Sequence, residues 1–282
     1  MLATLKEVIA IGEEKGYAIG AFNTPNFECL LAVIHNAEEM NVPVIISHAQ
    51  LHEEIAPLAD IGPIMVLAAK EAKVPVCVHL DHGEDLDYLE KSLELGFTSV
   101  MYDGSLLPYE ENVANTKKAV EMAAKYNANV EAEIGVMGGR EAGASDNGKK
   151  AEDMYTDPNV AERFVKETGI DALAASFGTA HGLYKAAPKL DFDRIERIKT
   201  QTGVPLVMHG GSGVSPEDYK KAIEKGVNKI NYYSYMSNAG TKAAKELLDS
   251  QDITYYHDIA MAAQKAMTAD VRKAMNVFYA GK

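Results

Sequence analysis

The chain has no tryptophan and only two cysteines in its 282 residues. Two thiols, Cys29 and Cys77, do not make the disulfide framework of a small secreted fold, and a reducing compartment is the default for them. Basic residues are in the minority: 28 Lys+Arg stand against 41 Asp+Glu, a formal charge of −13. Nucleic-acid binding needs a basic face and membrane-surface binding a polybasic patch, so neither partner is expected. An anionic small molecule is still admissible, because backbone N–H groups can bind phosphate on an acidic protein. No apolar run approaches the length that crosses a bilayer. The first fifteen residues carry Glu7, Glu13 and Glu14 and lack the long apolar core of a signal peptide. A cytoplasmic protein is the expectation. A linker is also missing, since glycine and proline are spread along the chain. One domain over residues 1–282 is expected, and an α/β barrel needs about 250 residues.

What the chain does contain is alternation. Short apolar or β-branched runs lie at 18–22, 43–46, 76–80, 99–102, 128–134, 172–176, 206–208 and 229–232. Runs that are apolar on both faces suit parallel strands buried between other layers. Helical spacing appears between them: Phe27, Leu30, Leu31, Ile34 and Ala37 after Thr24-Pro25; Tyr88, Leu89, Ser92, Leu93 and Leu95 before Gly96; and Pro158, Val160, Ala161, Phe164 and Val165. Eight strands alternating with helices predict a (β/α)8 TIM barrel, with an open doubly wound sheet as the alternative. Residues from about 252 to 282 read as one or two further helices. Met267, Val271, Met275 and Phe278 form a stripe there that could pack on the barrel or on another subunit. Residues 137–148 have no periodicity and are rich in glycine and small polar residues, which suits a mobile active-site loop or a tolerated surface insertion.

Barrel active sites lie at the C-terminal ends of the strands, and the unusual polar residues of this sequence fall there. The strand ends carry Asn23, Asp81-His82, Asp103, Glu131 and Glu133, His181, His209-Gly-Gly-Ser-Gly213 and Asn231. Three imidazoles around one rim, His82, His181 and His209, can bind zinc and leave a position open for substrate. His35, His48, His52, His79 and His257 lack this placement; His79, inside a strand, reads as structural, and His48 stays open. The glycines at 210, 211 and 213 let backbone N–H groups approach an anion, and Ser215-Pro216 starts a helix whose positive end would face it; a plain glycine-rich turn is the alternative. Ser234 could add a hydroxyl. Asp81 beside His82 could move protons, or it could orient a ligating histidine.

These residues resemble a known family. Val-His-Leu-Asp-His-Gly at 78–83, Ser-Val-Met-Tyr-Asp-Gly-Ser at 99–105, Val-Glu-Ala-Glu-Ile-Gly at 130–135, Gly-Gly-Arg-Glu-Ala-Gly at 138–143, Phe-Gly-Thr-Ala-His-Gly-Leu-Tyr-Lys at 177–185 and His-Gly-Gly-Ser-Gly at 209–213 look like the successive motifs of the class II fructose-bisphosphate/tagatose-bisphosphate aldolases, in the family's order. The resemblance implies a lyase that reversibly splits a ketose bisphosphate into dihydroxyacetone phosphate and an aldehyde such as glyceraldehyde 3-phosphate. It implies Zn2+ on His82, His181 and His209, and acidic positions Glu133 and Asp103 that can hold zinc in an alternative place or bind a second divalent ion. Asp81 would act on the C4 hydroxyl, Glu141 would exchange a proton with the donor carbon, and Asn231 would contact the enediolate. Gly182, Lys185, Gly210, Gly211, Ser212 and Ser234 would surround the donor phosphate, with Na+ or K+ often beside it, and Asn23 belongs to the substrate-binding set. A homodimer or homotetramer is implied as well.

The sequence departs from the family pattern in regions that touch substrate. Asn231 is followed by Tyr-Tyr-Ser-Tyr, residues 236–242 contain no arginine, and the second strand ends Ile-Ser-His-Ala-Gln at 46–50. The tyrosines and Gln50 suggest an altered acceptor pocket, which keeps open an aldolase for another ketose 1-phosphate, and Arg140 could supply the missing cation. Rival readings are a zinc hydrolase, whose usual His-x-His after the first strand is missing from 18–23; a lysine-dependent aldolase using Lys229, which could equally point to solvent; and a catalytically inactive sugar-phosphate-binding barrel. If Arg140 is the replacement cation, Arg140→Ala weakens binding of a ketose bisphosphate more than that of a ketose monophosphate. Equal losses in a pair of titrations would remove Arg140 from that role.

Overall fold

A chain with eight short apolar runs can satisfy their backbone groups by pairing each run with the next and closing the ring. A computed structural model, describing residues 1–135, 155–184 and 186–280, has this arrangement. The loop at 137–148, with Arg140 and Glu141, and Lys185 lie outside the described residues. The chain opens with a short strand β1 (Leu2–Ala3) and helix α1 (Leu5–Lys15). It then alternates β2 (Ile19–Asn23), α2 (Phe27–Met40), β3 (Val44–Ala49), α3 (Leu58–Glu71), β4 (Val76–Gly83), α4 (Leu86–Glu94), β5 (Ser99–Tyr102), α5 (Tyr109–Ala124), β6 (Asn129–Ile134), α6 (Pro158–Thr168), β7 (Ala172–Ala175), α7 (Phe192–Thr202), β8 (Leu206–Met208), α8 (Pro216–Glu224) and β9 (Val227–Tyr232), and ends in α9 (Ser234–Ser250) and α10 (Tyr256–Phe278). Strands β2 to β9 pair in chain order, all parallel, and β2 pairs with β9 to close a (β/α)8 barrel.

All eight expected runs are strands, and β3 and β4 each run three residues beyond them, to Ala49 and Gly83. The pattern of apolar runs marks no element before residue 18. Strand β1 pairs with the start of β4, and α1 sends Leu5, Val8 and Ile9 into the cluster that fills the barrel with Ile19, Ala21, Ile45 and Met101. Helix α1 thus plugs the end of the barrel opposite the mouth. Its start is fixed by a capping box in which Thr4 and Glu7 satisfy each other's backbone N–H. Phe22, Val44 and Ile46 belong to the second cluster, between the barrel and its helices. No helix among the described residues is long and apolar enough to cross a membrane.

The C-terminal stripe packs on its own barrel. Met267, Val271, Met275 and Phe278 are buried, and α10 lies against α2, α8 and β2, while α9 packs chiefly on α10. Helix α10 therefore fills the gap between the first and last barrel helices. Polar ties reinforce the seat: Asn36 Nδ2 donates to the Thr268 carbonyl at 2.8 Å, and the Tyr232 hydroxyl donates to Asp270 at 2.8 Å. The Phe278 ring meets Phe22, Tyr219 and Tyr232. Phe278→Ala should cost about 3–5 kcal/mol of stability, the range for a buried aromatic cut to alanine. Urea unfolding followed by circular dichroism measures it, and a loss under about 1 kcal/mol would mean that the helix is not part of the core.

Candidate active site

Adjacent residues on a regular strand point to opposite faces, but β4 departs from this at its C-terminal end. Against β5 the register runs Leu80↔Val100 and then Gly83↔Tyr102, so Asp81 and His82 together oppose Met101. His82 has φ 45°, a left-handed backbone uncommon for a residue with a Cβ. This bulge turns both side chains into the barrel mouth. The Asp81 carboxylate accepts from the amides of Asn23 at 3.1 Å and Asn231 at 3.0 Å. Its neighbour His82 meets His181 and His209.

The hydrogen-bond partners of these histidines determine where their lone pairs point. Asp103 Oδ2 lies 2.8 Å from His82 Nδ1 and accepts its proton, which leaves the lone pair on Nε2. Glu131 Oε1 lies 2.8 Å from His209 Nε2, which leaves the lone pair on Nδ1. Those two lone-pair nitrogens face each other at 2.9 Å, and His181 Nε2 is 3.2 Å from His82 Nε2. Two lone pairs at that distance repel unless a proton or a cation lies between them. Imidazole nitrogens on a tetrahedral zinc, each at about 2.0–2.1 Å, stand roughly 3.3 Å apart, so the cluster suits a metal ion.

The electrostatics agree. Burial pushes His82 down, but Asp81, Asp103 and Glu133 outweigh it and raise its pKa to about 10: the surroundings favour positive charge at this point. Burial lowers His209 and favours the neutral imidazole that a metal needs. Glu133 is buried, its Oε2 has no hydrogen-bond partner, and burial together with Asp103 raises its carboxyl well above the usual range. With His82 and Asp103 it forms a second group of converging ligand atoms. A cation would relieve its isolation.

Beneath the histidines lies a buried charge pair. Lys229, left open above as a solvated lysine, points into the barrel and is fully buried. Its Nζ is 2.8 Å from Glu131 Oε2, an ion pair outside the angular range of a hydrogen bond, and it donates to Asn231 Oδ1 at 2.8 Å. Burial would raise the Glu131 carboxyl, but Lys229 and the His209 hydrogen bond hold it well below the carboxylate range. No role was assigned to Glu131 from the sequence, although its two-residue spacing from Glu133 places both on one face of β6. His79 bonds Ser99 Oγ at 2.8 Å, and burial lowers its pKa to about 3. His48 bonds the Tyr88 hydroxyl at 3.0 Å and stands apart from the histidine cluster.

Beside the histidines, Asn23, Asp81, His181, Gly182, Gly210, Ser212, Asn231, Tyr232, Tyr233 and Ser234 line a pocket. Gly210 has φ 61°, and a Cβ there would lie 2.4 Å from the Ala180 carbonyl oxygen, so only glycine fits. Gly211 turns toward β9, where a Cβ would meet the Asn231 carbonyl at 2.7 Å. Two tyrosines that the sequence did not single out brace this loop: Tyr184 donates to the Gly210 carbonyl at 2.8 Å and Tyr219 donates to that of Gly211. Ser215 is occupied capping α8, its hydroxyl accepting from the Asp218 N–H, and it does not line the pocket. The helix start at the pocket is instead that of α9, through Tyr233 and Ser234, and it carries no side-chain cap. The first-turn N–H groups of a helix have no partner within the helix, which makes its start a natural anion seat. Gln50, placed above in an altered acceptor pocket, uses its carbonyl to accept from the Glu84 and Asp85 N–H groups at 2.8 and 3.3 Å.

A family model described as class II fructose-bisphosphate aldolase matches residues 3–282. The chain belongs to that family. The fructose-bisphosphate aldolase of Staphylococcus aureus (strain Mu50 / ATCC 700699) is 39% identical over 261 residues, covering 90% of this chain and 88% of that relative. The crystal structure of the YdjI aldolase from Escherichia coli K12 is 34% identical and matches with a TM-score of 0.87 over 99% of this chain and 97% of its own. The fructose-bisphosphate aldolase (Fba) of Campylobacter jejuni, 23% identical with a TM-score of 0.77 over 98% of this chain and 95% of its own, shares the fold. This aldolase is accordingly a lyase acting on a phosphorylated sugar. Class II aldolases are generally metal-dependent, and the residue groups around His82 are where this one could hold a metal. Asp103→Ala, which frees His82 Nδ1, should weaken metal affinity about 10- to 100-fold, the usual effect of losing a group that orients a ligating histidine. Competition with a chromophoric chelator reads it, and an unchanged affinity would separate Asp103 from the metal.

Proposed function

We propose that this chain is a zinc-dependent aldolase that cleaves a ketose carrying phosphate on C1 to dihydroxyacetone phosphate and an aldehyde, with fructose 1,6-bisphosphate and tagatose 1,6-bisphosphate as the leading substrates. The observation that carries the reading is the convergence of three imidazole nitrogens, two of them 2.9 Å apart, beside a buried aspartate that accepts from two amides. Binding alone calls for no such acid–base group.

The chain's own residues divide the work. His82, His181 and His209 hold the zinc, which when bound polarises the C2 carbonyl as a Lewis acid. Burial would raise the Asp81 carboxyl, but the nearby His82, His209 and Lys229 keep it well below the usual range. It is therefore ionised and able to take the C4 hydroxyl proton as the C3–C4 bond breaks. Asn23 and Asn231 fix its direction. The Asn231 amide also donates toward the charge that develops on the donor half. Glu141, by its place in the family motif, returns a proton to the donor carbon. Ser212, Gly210, Gly182, Ser234 and the start of α9 seat the donor phosphate. Lys185 joins them by the same carry-over.

A second reading, an aldolase for a different ketose 1-phosphate, is favoured by one observation. Residues 232–235 are Tyr-Tyr-Ser-Tyr and 236–242 hold no arginine, both departures from the family pattern, and Tyr232 and Tyr233 line the pocket.

A coupled assay of dihydroxyacetone phosphate release tests both readings, run with fructose 1,6-bisphosphate, tagatose 1,6-bisphosphate and a panel of ketose 1-phosphates. Chelation should abolish cleavage and zinc should restore it; turnover untouched by chelation would sink the metal role. Preference for a monophosphate would select the second reading. No cleavage by the zinc-loaded protein would favour a sugar-phosphate-binding barrel. Asp81→Asn should lower kcat by about 10²–10⁴, the usual contribution of a positioned acid–base group, with KM much less affected.

A further inference from the structure

Lys229 is fully buried, and burying an ammonium is costly. Its two contacts are Glu131 Oε2 and Asn231 Oδ1, both at 2.8 Å. The second contact has a consequence that follows from donor chemistry alone. An ammonium donates and cannot accept. Asn231 can therefore face Lys229 only with its carbonyl oxygen. Its NH2 group must then point the other way, toward Asp81 Oδ1 at 3.0 Å and the ring of His209 at 3.4–3.5 Å. Without Lys229, a half-turn of the amide would exchange oxygen and nitrogen at almost no steric cost. That turn would set the amide oxygen against the Asp81 carboxylate.

The same logic reaches the histidines through the other partner. Ionised Glu131 only accepts. It receives His209 Nε2–H at 2.8 Å while its second oxygen meets Lys229. The register places all of this on the inner face, since Lys229 and Asn231 are two apart on β9 and lie opposite Ile19 and Ala21 of β2. One buried ion pair thus fixes the sense of two hydrogen-bond chains.

We propose that Lys229 is a positioning residue: it locks the Asn231 amide with its donor face toward Asp81 and the reacting carbons. The role rests on the reading of Asn231 as the amide that contacts the donor half of the substrate. Lys229 touches no reacting atom; it acts through Asn231 and, by way of Glu131, on the orientation of His209.

The test is a double-mutant cycle on the full-length, zinc-loaded protein with Lys229→Met, Asn231→Ala and the pair. Two readouts are taken. One is kcat and KM for cleavage of the preferred ketose phosphate. The other, recorded without substrate, is the Asn231 side-chain amide in a 15N correlation spectrum, assigned by its loss in Asn231→Ala. In the wild type that amide should be a resolved, exchange-protected pair. Lys229→Met should broaden or shift it and lower kcat by roughly 10-fold or more, up to the 10²–10³ that losing such a donor costs, with little change in KM. In the Asn231→Ala background Lys229→Met should cost much less kcat than in the wild type, the remainder reflecting its pairing with Glu131. Additive losses would overturn the proposal, as would an unchanged amide signal in Lys229→Met or an unprotected one in the wild type. If Lys229→Met leaves Glu131 uncompensated and the protein does not fold, Lys229→Met/Glu131→Gln removes both charges and takes its place in the cycle. Failure of the wild type to cleave any ketose phosphate would count against the aldolase reading, and the amide spectrum would still decide whether Lys229 holds Asn231.

Discussion

A closed parallel barrel of eight strands has a dry interior, and that dryness constrains everything at its mouth. A polar side chain aimed inward is costly to bury unless another group pairs with it. Glu131 of β6, Lys229 of β9 and His209 after β8 solve this problem together: the carboxylate faces the ammonium on one side and the imidazole on the other. Asn231 and Asp81 extend the chain of contacts to β4, and Asn23 closes it on β2. The residues that could hold a metal thus stand on a lattice of obligatory pairings. Moving any one of them leaves a charge or a dipole stranded.

The barrel also accounts for the one strained backbone at the site. A strand that alternates strictly can present only one of two neighbouring residues to its inner face. Chemistry that needs a carboxylate and an imidazole side by side must break the alternation, and β4 does so with the bulge at Asp81–His82 and the left-handed φ of His82. Strain of this kind persists where surrounding contacts over-determine it. His82 has such contacts on both ring nitrogens, to Asp103 on one side and to His181 and His209 on the other.

Much of this architecture was legible in the sequence, for a physical reason. Parallel strands covered on both faces must be apolar throughout, so the eight runs stood out, and polar residues at their ends stood out against them. His82, His181 and His209 could be grouped because strand ends in a barrel share one rim. Pairings that depend on register were not legible. Nothing in the residue order says that Asp81 and His82 share one facing position, or that Lys229 faces Glu131 rather than solvent. The apolar stripe of α10 looked the same whether it covered its own barrel or a second subunit, and only the gap between α8 and α2 decides between them. Ser215-Pro216 illustrates the limit of local reading. It starts a helix as expected, but the helix start that reaches the pocket is that of α9, which begins after Tyr233 without a side-chain cap.

The two halves of the pocket are built from different materials, and this bears on which substrates the fold can accept. The proposed anion seat is largely backbone: Gly210 and Gly211, whose Cβ atoms would collide with Ala180 and with Asn231 of β9, braced by Tyr184 and Tyr219, and the start of α9, which has no side-chain cap. Backbone N–H groups do not change when side chains do, so the proposed seat depends little on which side chains surround it. The residues after Asn231 answer to two demands. Tyr232 sends its hydroxyl outward to Asp270 and fastens α10, and Tyr235 packs where a Cβ on Gly213 would collide with its ring. Tyr233 alone of the three tyrosines holds the serine of the anion seat through its own N–H, at 2.8 Å, while its ring lies 5.0 Å from that of His52. Tyr232 and Tyr233 both line the pocket beside Asn231. Substitutions there change the pocket wall, while Asp81 and the three histidines are carried on or after β4, β7 and β8.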